Sequence, residues 1–203
     1  RVLSLRDERV EKIYEKYKKL GFDWQQYIAC LDPVQERPGQ QEYSLTPHMY
    51  GRFLIELFEL WDLDLRQGKH PYIRQFENYI GILMGHQPES CEQRGVCSFQ
   101  NIVEADGSVY PCDFYVMDGY RLGNLRTDSL QVIEQRRRES RFVENSINHT
   151  EKCRSCPYFM VCRGGCRRHR EQPGTEPGED YFCVSYQMFF GSCLPRTREI
   201  AAC

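Results

Sequence analysis

The sequence predicts an α+β chain, with a helical first half carrying one buried strand and a cysteine-rich second half of short strands, turns and short helices. Three observations predict it. Apolar residues recur at helical spacing before residue 90, Ala105-Asp106-Gly107 is a hairpin signal, and ten of the eleven cysteines fall after residue 90. A chain of 203 residues is long enough for one ordinary domain or two small ones with a sizeable core.

The elements follow in order. Val10, Ile13, Tyr14, Tyr17 and Leu20 share one helix face, and Gly21 supplies the stop. Tyr27-Ile28-Ala29-Cys30-Leu31 is a short apolar run ended by Asp32-Pro33 and reads as a buried strand. Helix then strand is the rhythm of a parallel sheet or barrel, whose other units would lie outside this chain. Residues 34–44 read as a loop. Thr46-Pro47 then offers an N-cap and a proline at the first helical position. Phe53, Leu54, Leu57, Leu60 and Trp61 line that helix, and Gly68 closes it. A further helix covers Ile73–Met84 with Phe76, Tyr79, Ile80 and Leu83 inward, and these aromatic stripes are read as packing. Beyond residue 90, Phe99–Glu104 and Ser108–Tyr110 flank the hairpin turn. Ser129–Arg138 and Arg141–Ile147 read as short charged helices. Arg136-Arg137-Arg138 reads as a solvated face among Glu134, Glu139 and Glu144, and 171–179 as a Pro/Gly loop.

Composition excludes several classes. Charged residues make up 28% and the formal net charge is -2, so nothing marks a nucleic-acid binder or a polybasic membrane tail. The longest apolar stretch, Tyr79–Met84, is interrupted by Gly81 and far too short to span a bilayer. An odd cysteine count argues against a disulfide framework. A start at Arg1, with neither an initiator Met nor a leader, suggests the later part of a longer protein.

The sharpest signal is Cys153-x2-Cys156-x5-Cys162-x3-Cys166. Two thiolates two residues apart can grip one metal centre, because a tight turn aims both sulfurs at one point. Cys91, Cys97 and Cys112 upstream and Cys183 downstream bring the number to eight, enough for two four-thiolate sites. Cys30, Cys193 and Cys203 stay outside as ordinary buried or terminal thiols. Spacing alone leaves zinc and iron–sulfur open. The five histidines show no ligand spacing and read as surface or packing residues. Tyr110 and Tyr115 flank Cys112, either lining a peptide cleft or packing around the site.

Cys97-x9-Gly107-x4-Cys112, the dense run and Cys183 resemble the SPASM extension of radical S-adenosylmethionine enzymes. Tyr27–Pro33, Tyr43–Pro47, Asp106–Val116, Leu122-Gly123-Asn124 and Cys162–Arg168 narrow the resemblance to anaerobic sulfatase-maturating enzymes. It implies a C-terminal edge of a partial (β/α) radical-SAM barrel over residues 1–45, a helical linker over 46–90 and a SPASM domain over 91–203. It also implies two auxiliary 4Fe–4S clusters, one on Cys91, Cys97, Cys112 and Cys166 and one on Cys153, Cys156, Cys162 and Cys183. Asp113 matches the family's general base, and Leu31 falls on the adenine side of S-adenosylmethionine. The implied reaction takes a Cβ hydrogen from a Cys or Ser of a sulfatase and yields formylglycine, in a cytoplasmic enzyme served by an electron donor such as flavodoxin or ferredoxin. Family chemistry needs a further cluster on a Cys-x3-Cys-x2-Cys triplet that this sequence lacks, so the chain alone is expected to be inactive. Two other readings remain: a radical maturase of another peptide, or a zinc- or cluster-binding peptide-recognition module without catalysis.

Overall fold

The structure, a computed structural model, describes residues 2–3, 10–34, 36–171 and 178–203. Strand β1 (Val2–Leu3) pairs in parallel with β3 (Ile28–Ala29), and helix α1 (Val10–Lys19) lies between them in sequence. The expected strand over Tyr27–Leu31 thus shortens to two residues, with Ile28 exposed and Ala29 buried. The preceding strand, β2 (Trp24–Gln25), pairs in parallel with β4 (Tyr72–Ile73), a connection the sequence did not suggest. Leu20 is exposed beyond the end of α1 rather than lining its buried face.

Helix α2 (Pro47–Arg66) begins as its sequence dictates. Thr46 caps it with its side chain accepting from the Met49 N–H, and Pro47 sits in the first turn. Helix α3 (Arg74–Leu83) buries Phe76, Asn78, Tyr79 and Ile82. Ile82 takes the fully buried place expected for Ile80 or Leu83, which are only partly buried against the same core.

Helix α4 (Cys91–Arg94) opens the cysteine-rich half. Strands β5 (Ile102–Val103), β6 (Ser108–Tyr110) and β7 (Gly123–Asn124) form a three-stranded antiparallel meander, which contains the expected hairpin and one further strand. Helix α5 (Leu130–Ser140) follows, and the segment over Arg141–Ile147 condenses to a 3-10 turn at Glu144–Ile147. Arg137 departs from the solvated reading: it is buried, donating to the Gln100 carbonyl and the Asn101 side chain across to the β5 segment. Three one-turn helices carry the dense cysteine run: α6 (Glu151–Arg154), α7 (Phe159–Cys162) and α8 (Arg167–Arg170). Most of the Pro/Gly loop, residues 172–177, lies outside the described residues.

The chain ends in α9 (Cys183–Ala201), which holds Pro195 in its interior. It packs along α2 and α3, and this contact makes the main core. Phe76 stacks on Phe189 at 5.7 Å, Phe58 meets Phe76 edge-on at 5.2 Å, and Tyr79 meets Phe190 at 5.0 Å. Each such ring removes a large apolar area from water, so the aromatic stripes serve packing. One continuous core runs from Val10 to Leu194. Among the described residues no helix is long and apolar enough to cross a membrane.

Candidate metal centres

Cys153, Cys156, Cys162 and Cys183 line one cavity of about 380 Å³, part of it open to solvent. Local structure explains how they meet. Thr150 caps α6 with its side chain, which accepts from the Cys153 N–H and fixes that residue in the first turn. The Cys156 N–H bonds the Cys153 carbonyl, so the chain folds back at once. Cys162 ends α7, and Cys183 begins α9. Tyr158, Phe159, Tyr186 and Phe190 supply apolar walls. Burial pushes the Cys162 thiol up to about 12 and Cys183 up to about 11, and the charges of the other thiolates in the set add to both. A cationic centre in the cavity would reverse that repulsion.

The upstream thiols come from three stretches of the chain. Cys91 opens α4, and Cys97 donates its N–H to the buried Ser146 hydroxyl. Cys112 follows β6, and Cys166 precedes α8. Burial pushes Cys112 up to about 12, with Asp113 and Cys97 contributing. Cys91 likewise raises both Cys97 and Cys166, behind burial as the main cause. Cys91 and Cys97 are thus each felt by another of these thiols. Cys91, Cys166, Asp113 and Phe114 line a second cavity of about 1000 Å³, part of it open to solvent, that reaches strand β3 and the start of α3. Among the described residues no three His, Cys, Asp or Glu groups close on a point as the ligands of one ion would. The downstream thiols ring a space instead.

Asp113 is exposed beside Cys112. Its Oδ1 accepts from the Cys112 thiol at 3.2 Å and from the Phe114 N–H at 3.1 Å. Leu31 lies elsewhere, in a small cavity with Cys30, Asp32, Pro38 and Tyr181. Tyr115 is packed rather than cleft-lining: it is fully buried against Tyr120 and Phe142, with its hydroxyl on Glu171.

Sequence reasoning did not single out α8. Arg168, His169 and Arg170 are all buried there, although cations are rarely found inside unless paired. Arg168 donates to the Asp32 carbonyl at 2.6 Å, and Arg170 to the Asn148 and Ser146 carbonyls. His169 stands 3.2 Å from Asp180. The local signal was the run of four basic residues directly after Cys166, a costly thing to bury unless something anionic sits nearby.

With this geometry in view, residues 91–157 match the family model of the SPASM iron–sulfur cluster-binding domain. The cysteine-type anaerobic sulfatase-maturating enzyme of Clostridium perfringens (strain 13 / Type A) is 39% identical over 201 residues, 98% of this chain and 54% of the relative. This chain is homologous to the anaerobic sulfatase-maturating enzymes. The serine-type enzyme of Bacteroides thetaiotaomicron is 29% identical over 157 residues, 76% of this chain and 37% of the relative. The solved structure of native anSMEcpe with bound AdoMet and Cp18Cys peptide superposes with a TM-score of 0.93 at 36% identity, covering 99% of this chain and 56% of that one. The chain therefore spans about half the length of the relatives it matches.

Proposed function

We propose that this chain is the carboxy-terminal, cluster-binding part of a radical S-adenosylmethionine enzyme that converts a Cys or Ser of a sulfatase to formylglycine. The observation that carries the reading is the downstream cavity, where cysteines from α6, the turn after it, α7 and α9 face one space. The names of the relatives and the SPASM match support it. In this reading Cys153, Cys156, Cys162 and Cys183 hold one 4Fe–4S cluster, and Cys91, Cys97, Cys112 and Cys166 hold another. Residues 1–45 belong to the edge of a partial barrel, 46–90 to a helical linker and 91–203 to the SPASM domain. The remaining cluster and S-adenosylmethionine are held by the whole protein, with Leu31 toward the adenine. An electron donor of the flavodoxin or ferredoxin kind serves it. The higher identity with the cysteine-type relative supports a Cys target.

When bound, the auxiliary clusters supply one-electron acceptors, and S-adenosylmethionine supplies the group that removes the Cβ hydrogen. The chain's own residues do the rest. Once Cys112 is a metal-bound thiolate it has no proton to donate, so Asp113 loses that partner and keeps only the Phe114 N–H. The freed carboxylate faces the cavity shared with Cys91 and Cys166. There it takes the proton from the substrate's thiol or hydroxyl as the carbon is oxidised. Buried cations on α8 offset the negative charge of the thiolates beside them.

The test is anaerobic reconstitution of the full-length protein, followed by incubation with sulfatase-derived peptides carrying Cys or Ser. Brown protein with about eight auxiliary iron and eight sulfide per chain, together with aldehyde on the peptide, is the expected result. Colourless protein with two zinc and unmodified peptide would leave only a peptide-recognition module.

A further inference from the structure

Arg170, the last residue of α8, is a buried cation with no anion beside it. It is 2% exposed, and a guanidinium keeps its proton inside a protein. Nη2 donates to the Ser146 carbonyl at 2.5 Å and Nη1 to the Asn148 carbonyl at 2.7 Å, with His149 Nδ1 3.1 Å away. Nε is buried without a hydrogen-bond partner. None of these neighbours carries a negative charge. Buried Arg137 pairs with Glu134 at 3.0 Å, and Arg167 pairs with Glu171 at 2.5 Å. Arg170 has no such carboxylate among the described residues. Burying a charge this way is costly unless something compensates it.

The groups around Arg170 lead to both thiol sets. Ser146, whose carbonyl it holds, accepts the Cys97 N–H on its hydroxyl at 2.9 Å. Asn148 lies two residues before Thr150, whose side chain accepts the Cys153 N–H at 3.2 Å. Residues 146–150 therefore hold Cys97 at one end and Cys153 at the other, and Arg170 grips the stretch between. Cys166 stands four residues before it on the same segment. Burial raises the thiols of Cys97 and Cys153, and the charge of Arg170 opposes that rise at both. Arg168 is directed elsewhere, to the Asp32 carbonyl.

We propose that Arg170 is a shared counter-ion of the two iron–sulfur sites, a fixed positive charge that balances both thiolate-bound centres and holds both reduction potentials up. This rests on the cluster reading above. A cubane held by four thiolates is a net anion, and a positive charge nearby favours an added electron, strongly so at low dielectric. Arg170 acts across the 146–150 segment and is a positioning residue, not a catalytic one.

The experiment is a redox titration of the reconstituted full-length protein followed by electron paramagnetic resonance, with iron and sulfide analysis of every sample. R170Q moves both midpoints negative by at least tenfold in the electron-sharing equilibrium, 59 mV for one electron. R170K keeps the charge but loses the planar fork, and its midpoints stay nearer the parent than R170Q. A residue that merely braces residues 146–150 would be missed equally in both variants, since neither has the fork. If R170Q fails to hold iron, R170K decides: iron retained near the parental midpoints supports the counter-ion, and iron lost from both variants overturns it. R170Q midpoints unchanged within twofold, a shift at one site alone, or R170K displaced as far as R170Q would also overturn it. A parent protein that takes up zinc and no iron fails one step earlier, and removes the cluster reading along with this inference.

Discussion

Gly95 is the place where one substitution tests the whole arrangement. It follows α4 at a φ of +70°, between Cys91 and Cys97, and it abuts the backbone of Arg163 between Cys162 and Cys166. A Cβ there would lie 2.9 Å from both the Arg163 carbonyl carbon and the Arg163 Cβ, with the carbonyl oxygen nearer still. Gly95→Ala meets two costs. A left-handed backbone costs an L-residue about 1–2 kcal/mol, and forcing a methyl against main chain costs about 1–3 kcal/mol. Stiffening the unfolded chain returns about 0.5 kcal/mol. The net loss is about 3 kcal/mol, which for a chain of this size lowers Tm by about 6–12 °C. Because Gly95 joins the segment of one thiol set to that of the other, iron should fall at both sites together. Thermal unfolding and iron analysis read the two effects. Gly119→Ala, where nothing lies within 4 Å of an added Cβ, serves as the control and should stay within about 0.5 kcal/mol. A Gly95→Ala protein with unchanged Tm and full iron would refute the close approach on which the reasoning stands.

Three further outcomes are expected. Asp113→Asn keeps the iron content but suppresses aldehyde formation on the peptide by at least about 100-fold, the usual contribution of a general base; normal turnover would remove Asp113 from that role. Arg137→Met strands the Gln100 carbonyl and the Asn101 side chain beneath α5 and should cost about 2–3 kcal/mol in urea unfolding. A loss near zero would mean that water replaces the guanidinium. Burial opposes ionisation of Asp64, but hydrogen bonds from Lys18, Tyr14 and Lys69 outweigh it and hold the carboxyl below its ordinary value. Its stabilisation is therefore complete above about pH 4, the unfolded carboxyl value, and is lost as pH falls through the lower folded value. Asp64→Asn should flatten that acid limb, and an unchanged acid-unfolding curve would contradict it.

Locally written features were legible. Thr46-Pro47 announces α2 because a cap and a first-turn proline act within a few residues, and the Ala105-Asp106-Gly107 turn does the same for its hairpin. Helix α9 was not legible. Pro195 breaks the local rule, and Tyr186, Phe189, Phe190, Cys193 and Leu194 crowd a helix that is buried through much of its length. Arg137 misled for the opposite reason: its acidic neighbours are close in sequence, while its partners lie more than thirty residues away. The thiol sets were half legible. Spacing marks the dense run, but only the family resemblance implies how Cys166 and Cys183 would divide between two sets. Asp180 carries no sequence mark, since its place follows from where Gly165 allows the chain to approach.

Cys183 is both a wall of the downstream cavity and the first residue of α9, the helix that completes the main core. On the ribosome, a nascent chain that has exposed Cys153, Cys156 and Cys162 still lacks the fourth sulfur and the cover for its aromatic face. Maturation of the cavity and consolidation of the fold therefore wait for the same late segment. Premature termination before it would release a polypeptide with bare thiols and sticky rings, a natural client for chaperones and proteases.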